Sequence, residues 1–322
     1  MRIFDAQQVE QLLTMRDAIE AVRTAFGLQS SGACQTPLRT VLQTPEGDGK
    51  FLFMPSYCPE LGYVACKNIN LFDGNRAAGL PTSFAQILLI NGHNGRCEAV
   101  LDGDAVTRLR TAGATGAALS ALANPNCRKA ALFGTGSQAG AQLEAIITAC
   151  GPEEVAVCGR DPEKTRRFVC RLQDRWPVRL TAVETGAEAV RDADVIVTAT
   201  SSGEALFPAE AVKSGCTISA IGNYSPDRTE LPPELFSRVD RVYVDDVAAA
   251  KAEAGDLLLP LSQGYLRSEQ IAGELGQLFL GQIPGRTSAE EILVFKSVGI
   301  GIQDLVTSLR VYEAARTVPA GR

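Results

Sequence analysis

Near the start of the chain, apolar positions recur mostly three or four residues apart. Val9, Leu12, Leu13, Met15, Ile19, Val22 and Phe26 follow this spacing, which predicts a helix over 7–28, with Gly32 ending the region. From 38 to 101 the period shortens. Runs at 38–42, 50–54, 63–70, 83–90 and 99–102 read as short strands, separated by turn residues such as Pro45-Glu46-Gly47-Asp48-Gly49. The longest apolar run, 84–90, suits a buried strand. This first part reads as α+β with a mostly antiparallel sheet. The Ala-, Leu- and Thr-rich stretch 105–123 then reads as one long helix. Beyond it, strand-like runs at 130–133, 154–158, 195–199, 217–221 and 241–244 alternate with helical stretches. That alternation predicts a parallel sheet covered by helices on both faces, so the expected class is α/β, a doubly wound sheet plus a second α+β domain.

Composition narrows the functional classes. The chain has 322 residues, 45% hydrophobic and 21% charged, with a net charge of −6. A mildly acidic chain lacks the basic footprint that nucleic acid requires, and no apolar run approaches the length of a membrane span. The segment 1–11 is polar and carries Asp5 and Glu10 where a signal peptide needs an apolar core. Nine cysteines, none in a C-x-x-C pair, read as reduced thiols in a cytoplasmic protein. The single histidine, His93, sits in Asn91-Gly92-His93-Asn94-Gly95, which reads as a tight hairpin turn. Serine–histidine catalysis and multi-histidine metal sites are therefore not expected, and no metal is assigned. Proton chemistry is left to carboxylates, lysine, tyrosine, the substrate or water.

The strand at 130–133 runs into Gly134-Thr135-Gly136-Ser137-Gln138-Ala139, and a helix follows over about 140–148. This is the dinucleotide-binding G-x-G-x-x-[GA] turn in its strand–turn–helix setting. Gly134 allows the sharp turn, Gly136 lets a pyrophosphate approach the backbone, and Ala139 keeps helix and strand close. Thr200 and Ser201, just beyond the strand at 195–199, join the cofactor set. The next strand ends in Cys158-Gly159-Arg160-Asp161, with Lys164, Arg166 and Arg167 beyond. An acidic residue usually binds the ribose at this point. Arg160 suits a 2′-phosphate instead, which favours NADPH over NADH. The alternative is that Asp161 binds ribose and the basic residues form a solvated helix face.

Four segments carry a family resemblance: Val64-Ala65-Cys66-Lys67, Leu109-Arg110-Thr111-Ala112-Gly113-Ala114, Phe133 through Ala139, and Ser297-Val298-Gly299-Ile300-Gly301-Ile302-Gln303-Asp304. In these the chain resembles the ornithine cyclodeaminase/mu-crystallin family over nearly its whole length. The resemblance implies a homodimer with two domains. Residues 1–112 plus 303–322 would hold substrate and make the dimer contact, and 113–302 would bind the dinucleotide. A helix over 303–315 would return to the first domain. The resemblance also places Arg39, Lys67 and Arg110 at substrate positions. The chemistry agrees, because guanidinium binds an α-carboxylate bidentately and a lysine in a strand among small and apolar neighbours needs an anionic partner. Thr82, in Gly79-Leu80-Pro81-Thr82, is a candidate pocket residue and equally a candidate turn residue.

One loop departs from the cyclodeaminases, which resemble this chain otherwise. They carry an aspartate followed by Cys-Pro-Gly-Lys ahead of Thr-Glu-Leu. Here the loop reads Asn223-Tyr224-Ser225-Pro226-Asp227-Arg228-Thr229-Glu230-Leu231, which puts Tyr224 at the aspartate position and Arg228 at the lysine position. Expelling ammonia needs an anionic acid/base group, for which tyrosine is a poor replacement. Reduction of a preformed imine needs only a clamped carboxylate and a positioned carbon. The expectation is an NADPH-dependent reductase of a cyclic imino acid, with Tyr224 as a hydrogen-bond donor and Asp227 as a possible substitute for the missing aspartate. The alternatives are ornithine cyclodeaminase, alanine dehydrogenase, or a mu-crystallin-type protein that binds NADP(H) and a small carboxylate without useful turnover.

Overall fold

The computed structural model describes residues 1–317. The chain divides into two compact units: Met1–Arg110 with the segment from Ile300, and Thr111–Gly299. Of the expected return segment 303–322, residues 318–322 lie outside the described residues.

In the first unit, β1 (Arg2–Phe4), α1 (Ala6–Leu12) and α2 (Met15–Ser30) lead into β2 (Thr40–Gln43), β3 (Gly49–Cys58), β4 (Tyr63–Phe72), β5 (Ser83–Asn91) and β6 (Cys97–Asp102). The six strands form one sheet in the order β1-β6-β5-β4-β3-β2. All pairs are antiparallel except β1 with β6. The C-terminal helix Gly301–Thr317 packs on α2 and across β3, β4 and β5. The core is the layer between that helix pair and the sheet, where Val22, Phe26, Leu52, Met54, Ile87 and Leu89 are buried.

Two expectations need correction here. The apolar period over 7–28 does not make one helix. Thr14 stops it by capping α2, with its hydroxyl accepting from the Asp17 amide while the Asp17 carboxylate accepts from Thr14 N. This reciprocal box satisfies amides that a continuous helix would have bonded internally. The run 84–90 is not buried on both faces. Ala85, Ile87 and Leu89 face the core, while Phe84 and Leu88 are exposed, as expected for a sheet covered by helices on one side only.

A long helix, α3 (Gly103–Leu122), carries the chain from the first unit into the second. It begins against β5, where a Cβ on Gly103 would meet the Ala85 carbonyl carbon at 2.7 Å. The second unit then builds an eight-stranded sheet from β7 (Lys129–Phe133), β8 (Glu154–Cys158), β9 (Arg179–Val183), β10 (Val195–Thr198), β11 (Thr217–Ala220), β12 (Arg241–Val244), β13 (Ile271–Glu274) and β14 (Leu293–Lys296). The order is β13-β12-β14-β11-β10-β7-β8-β9, and every neighbouring pair is parallel. The chain moves outward through β8 and β9 and then returns to β10 on the other side of β7. That reversal makes the switch point where ligands bind in doubly wound folds. The fold class is thus the expected one, although β9, β13 and β14 were absent from the pattern reading. β9 is a short edge strand that opens on Arg179. β13 contains Gly273. None shows a periodic signal.

The loop after β11 rests on the helix Gly255–Gln263. A Cβ on Gly255 would run into the carbonyl oxygens of Arg228 and Ser225, and neither backbone can swing aside as a side chain could. Gly255→Ala should therefore lower stability by about 1–3 kcal/mol, the usual cost of overpacking. A fall in the denaturant midpoint of the purified protein would measure it.

Candidate active site

In the first unit, alternation along β4 turns Ala65 and Lys67 toward the helices and leaves Val64 and Cys66 half-exposed on the opposite face. Lys67 has no solvent exposure, and its cross-strand neighbours are Met54 and Ile87. Its Nζ lies 2.7 Å from Oδ2 of Asp304 in the first turn of the C-terminal helix. The other Asp304 oxygen stands 3.3 Å from Nε of Arg110 on α3. Arg110 Nη1 also donates to Gln303 Oε1 at 3.4 Å, and that oxygen accepts from Ile300 N.

Two cations thus share one carboxylate, with Asp304 wholly buried and Arg110 nearly so. Desolvation, the charge of Arg110 and the more distant charge of Arg39 lower the Lys67 ammonium to about 7, against the opposing pull of Asp304. Arg39 sits half-buried in the segment before β2. The structure therefore brings Arg39, Lys67 and Arg110 into one electrostatic neighbourhood. Thr82 lies ahead of β5, where its carbonyl accepts from Phe72 N. Asp304 was missed as a site residue. It was visible only as the last letter of the Ser297–Asp304 motif, and its partners lie hundreds of positions upstream.

In the second unit, the glycine turn has the geometry that a pyrophosphate requires. Gly134 has φ +111°, and a Cβ there would meet the Ala199 carbonyl oxygen at 2.5 Å. Gly136 faces open space, with nothing within 4 Å of its missing Cβ. Gly136 and Ser137 are exposed, Thr135 and Gln138 half-buried, and Ala139 buried. The following helix, α4 (Ala139–Cys150), has no side-chain cap at its N-terminus. Its first amides keep the partial positive charge that suits phosphate oxygens. These residues fit a dinucleotide. Arg160 is exposed just past the end of β8, whereas Asp161 caps the next helix, α5 (Pro162–Leu172), accepting from Lys164 N at 3.1 Å.

A buried carboxylate organises the ends of β10 and β11. Glu230 Oε1 accepts from Thr200 N and Oγ1, and Oε2 accepts from Thr198 Oγ1 and Gly222 N. Burial raises its carboxyl above the usual range, offset in part by Lys296. Lys296 Nζ lies 2.7 Å from both Asp256 Oδ2 and the Asn223 carbonyl oxygen. Asp256 Oδ1 accepts from Thr229 Oγ1 and from the amides of Glu230 and Leu231. Burial alone would raise Asp256, but Lys296 and those amides hold it below its ordinary value. This network fixes the loop that bears Tyr224 and commits the Thr200 hydroxyl inward. Ser201 stays exposed, and its carbonyl accepts from Arg228. Tyr224 is 42% exposed. Asp227 accepts from Ser225 Oγ within its own loop. Asp245 in turn holds Ser297, Val298 and Gly299 through one hydroxyl and two amides. None of these buried carboxylates carries a local sequence signal beyond the Thr-Glu-Leu triplet.

Comparison with known proteins shows which family the whole chain matches. The family model described as "Ornithine cyclodeaminase/mu-crystallin family" matches residues 2–318. A Delta(1)-pyrroline-2-carboxylate reductase of Bacillus cereus is 31% identical over 315 residues, which is 98% of this chain and 97% of the relative. The Thermococcus litoralis Delta(1)-pyrroline-2-carboxylate reductase, solved with NADH and L-proline, superposes with a TM-score of 0.93 at 30% identity, covering 98% of each chain. An archaeal alanine dehydrogenase dimer with bound NAD gives 0.92 at 33% identity, over 100% of this chain and 98% of that one. The chain belongs to the ornithine cyclodeaminase/mu-crystallin family.

Proposed function

We propose that this protein reduces a cyclic imino acid, Δ1-pyrroline-2-carboxylate or Δ1-piperideine-2-carboxylate, to L-proline or L-pipecolate, using NADPH. The observation that carries the reading is the charge count around Asp304. Lys67 and Arg110 are buried with a single carboxylate between them. A buried cation without an anion is costly, so the cluster favours a ligand that brings one negative charge. An α-carboxylate does so, and the planar guanidinium of Arg110 suits it. Arg39 adds positive charge to the same neighbourhood. Lys67, poised near neutrality, supplies a hydrogen bond or proton to the imine nitrogen.

The cofactor supplies the hydride when bound. The Gly134–Ala139 turn and the N-terminus of α4 hold its pyrophosphate. Arg160 selects for a 2′-phosphate, supported by the commitment of Asp161 to capping α5. Two features support reduction over ammonia expulsion. Tyr224 stands where cyclodeaminases carry their aspartate, and Asp227 is engaged within its loop. Reductases of this substrate class are among the relatives. The likeness to the archaeal alanine dehydrogenase favours a second reading that uses the same groups: reduction of the open imine formed from pyruvate and ammonia. The protein is read as a homodimer, supported by the apolar outer face of the first sheet. Leu42, Phe84 and Leu88 are exposed there, and Phe51, paired with Leu42, is half-buried.

NADPH and NADH assayed against both cyclic imines, pyruvate with ammonia, and ornithine should show turnover of a cyclic imine with NADPH as the better donor. Ammonia release from ornithine would overturn the reading, and turnover of pyruvate with ammonia alone would move it to the second. Arg160→Ala should raise KM for NADPH about 10- to 100-fold, the worth of one charge-assisted hydrogen bond, and leave KM for NADH nearly unchanged. Lys67→Ala should cut kcat by roughly 10²- to 10⁴-fold, the usual span for a group acting on a proton, while NADPH still binds in a fluorescence titration.

A further inference from the structure

The charge cluster of the first unit holds more than a carboxylate clamp, provided the reading above is right. Lys67 is fully buried, and its cross-strand neighbours, Met54 and Ile87, carry no charge. The charged groups that face it come from three elements: Arg110 on α3, Asp304 on the C-terminal helix and Arg39 ahead of β2. Asp304 is the anion that Lys67 and Arg110 both contact. With Lys67 charged, these three groups carry two positive charges against one negative. With Lys67 neutral, the remaining two charges balance. An entering carboxylate supplies the second negative charge and makes the ammonium form favourable again.

We propose that Asp304 is a positioning residue that holds Lys67 and Arg110 as a partly discharged pair, and that binding of the substrate carboxylate drives uptake of one proton by Lys67. The proton comes from water as the ligand enters, so Lys67 reaches the imine already charged. The sign follows from the charge count and from the lowered Lys67 value of about 7. Above that value the free protein holds Lys67 mostly neutral, and a carboxylate ligand pulls a proton in. Well below it Lys67 is already charged, and little is taken up.

Pyrrole-2-carboxylate, a planar and unreactive analogue of the cyclic imine, provides the probe. Its binding to the NADP⁺-loaded protein is measured by calorimetry in two buffers of different ionisation enthalpy, which reports the protons exchanged. The expected uptake at pH 8 is roughly half a proton or more, falling toward zero near pH 6. Lys67→Arg should still bind the analogue with almost no uptake, because guanidinium does not discharge in this range. Asp304→Asn should move the uptake window to lower pH, a shift that a merely structural role would not produce. Binding with no uptake in the wild type, or equal uptake in Lys67→Arg, overturns the proton linkage and leaves the carboxylate clamp standing. An unshifted window in Asp304→Asn overturns the role given to Asp304. Failure of the wild type to bind any small carboxylate overturns the proposed function itself, and this inference with it.

Discussion

A single buried carboxylate, that of Asp304, ties the first unit together. It joins the C-terminal helix to the middle of the sheet through Lys67 and to α3 through Arg110, so three elements far apart in sequence meet at one atom pair. Removing charges from water is expensive, and well-packed apolar groups of similar volume usually stabilise a core as well or better. Stability alone therefore gives no reason to keep two cations and one anion in this layer, where Ile87, Leu89 and Met54 show that apolar packing was available. The surplus positive charge is what a ligand would complete.

The second unit offers an internal contrast. Lys296 is as deeply buried as Lys67 and contacts its own aspartate at the same 2.7 Å. Its surroundings differ in sign. Asp256 and Glu230 supply two carboxylates to one ammonium, and their oxygens are occupied by amides and hydroxyls of the same unit. That cluster is closed by its own protein partners, so its task is to hold the loops after β10 and β11. Burial by itself does not mark a binding group. The sign of the unbalanced charge, and whether protein donors already fill the polar atoms, separates the two lysines.

Local features of this chain were legible and distant ones were not. The turn Gly134–Ala139 could be read because all its requirements fall within six residues between a strand and a helix. Lys67 could be read because it lies in the Val64–Lys67 motif of the family, in a strand-like run among small and apolar neighbours. Asp304 lay in a recognised motif without a role, because its meaning depends on residues 67 and 110. Glu230 and Asp245 were missed for the same reason, since each serves amides from a neighbouring strand end. The break at Thr14 had a local cause, a capping box, yet the apolar period continued across it and concealed it. The strand 83–90 shows the converse. Apart from Ser83 and Gln86 its composition is apolar, and only the helices packed on one side decide that Phe84 and Leu88 face outward.

The choice between the two nicotinamide dinucleotides turns on what Asp161 has left to offer. A ribose-binding carboxylate must present both oxygens to the 2′- and 3′-hydroxyls beyond the end of the second strand. Here one Asp161 oxygen accepts from the Lys164 amide, and the residue's own backbone is the N-cap of α5. Turning the side chain toward a ribose would uncover that amide and cost about 1 kcal/mol of cap energy. Arg160, one residue nearer the strand, carries no such obligation and projects from an exposed position. A 2′-phosphate is the group that turns this substitution from a loss into a gain, because it supplies the charge that a guanidinium binds best. The proposed preference for NADPH thus rests on two neighbouring residues with opposite commitments, one spent on holding a helix and the other exposed toward a ligand.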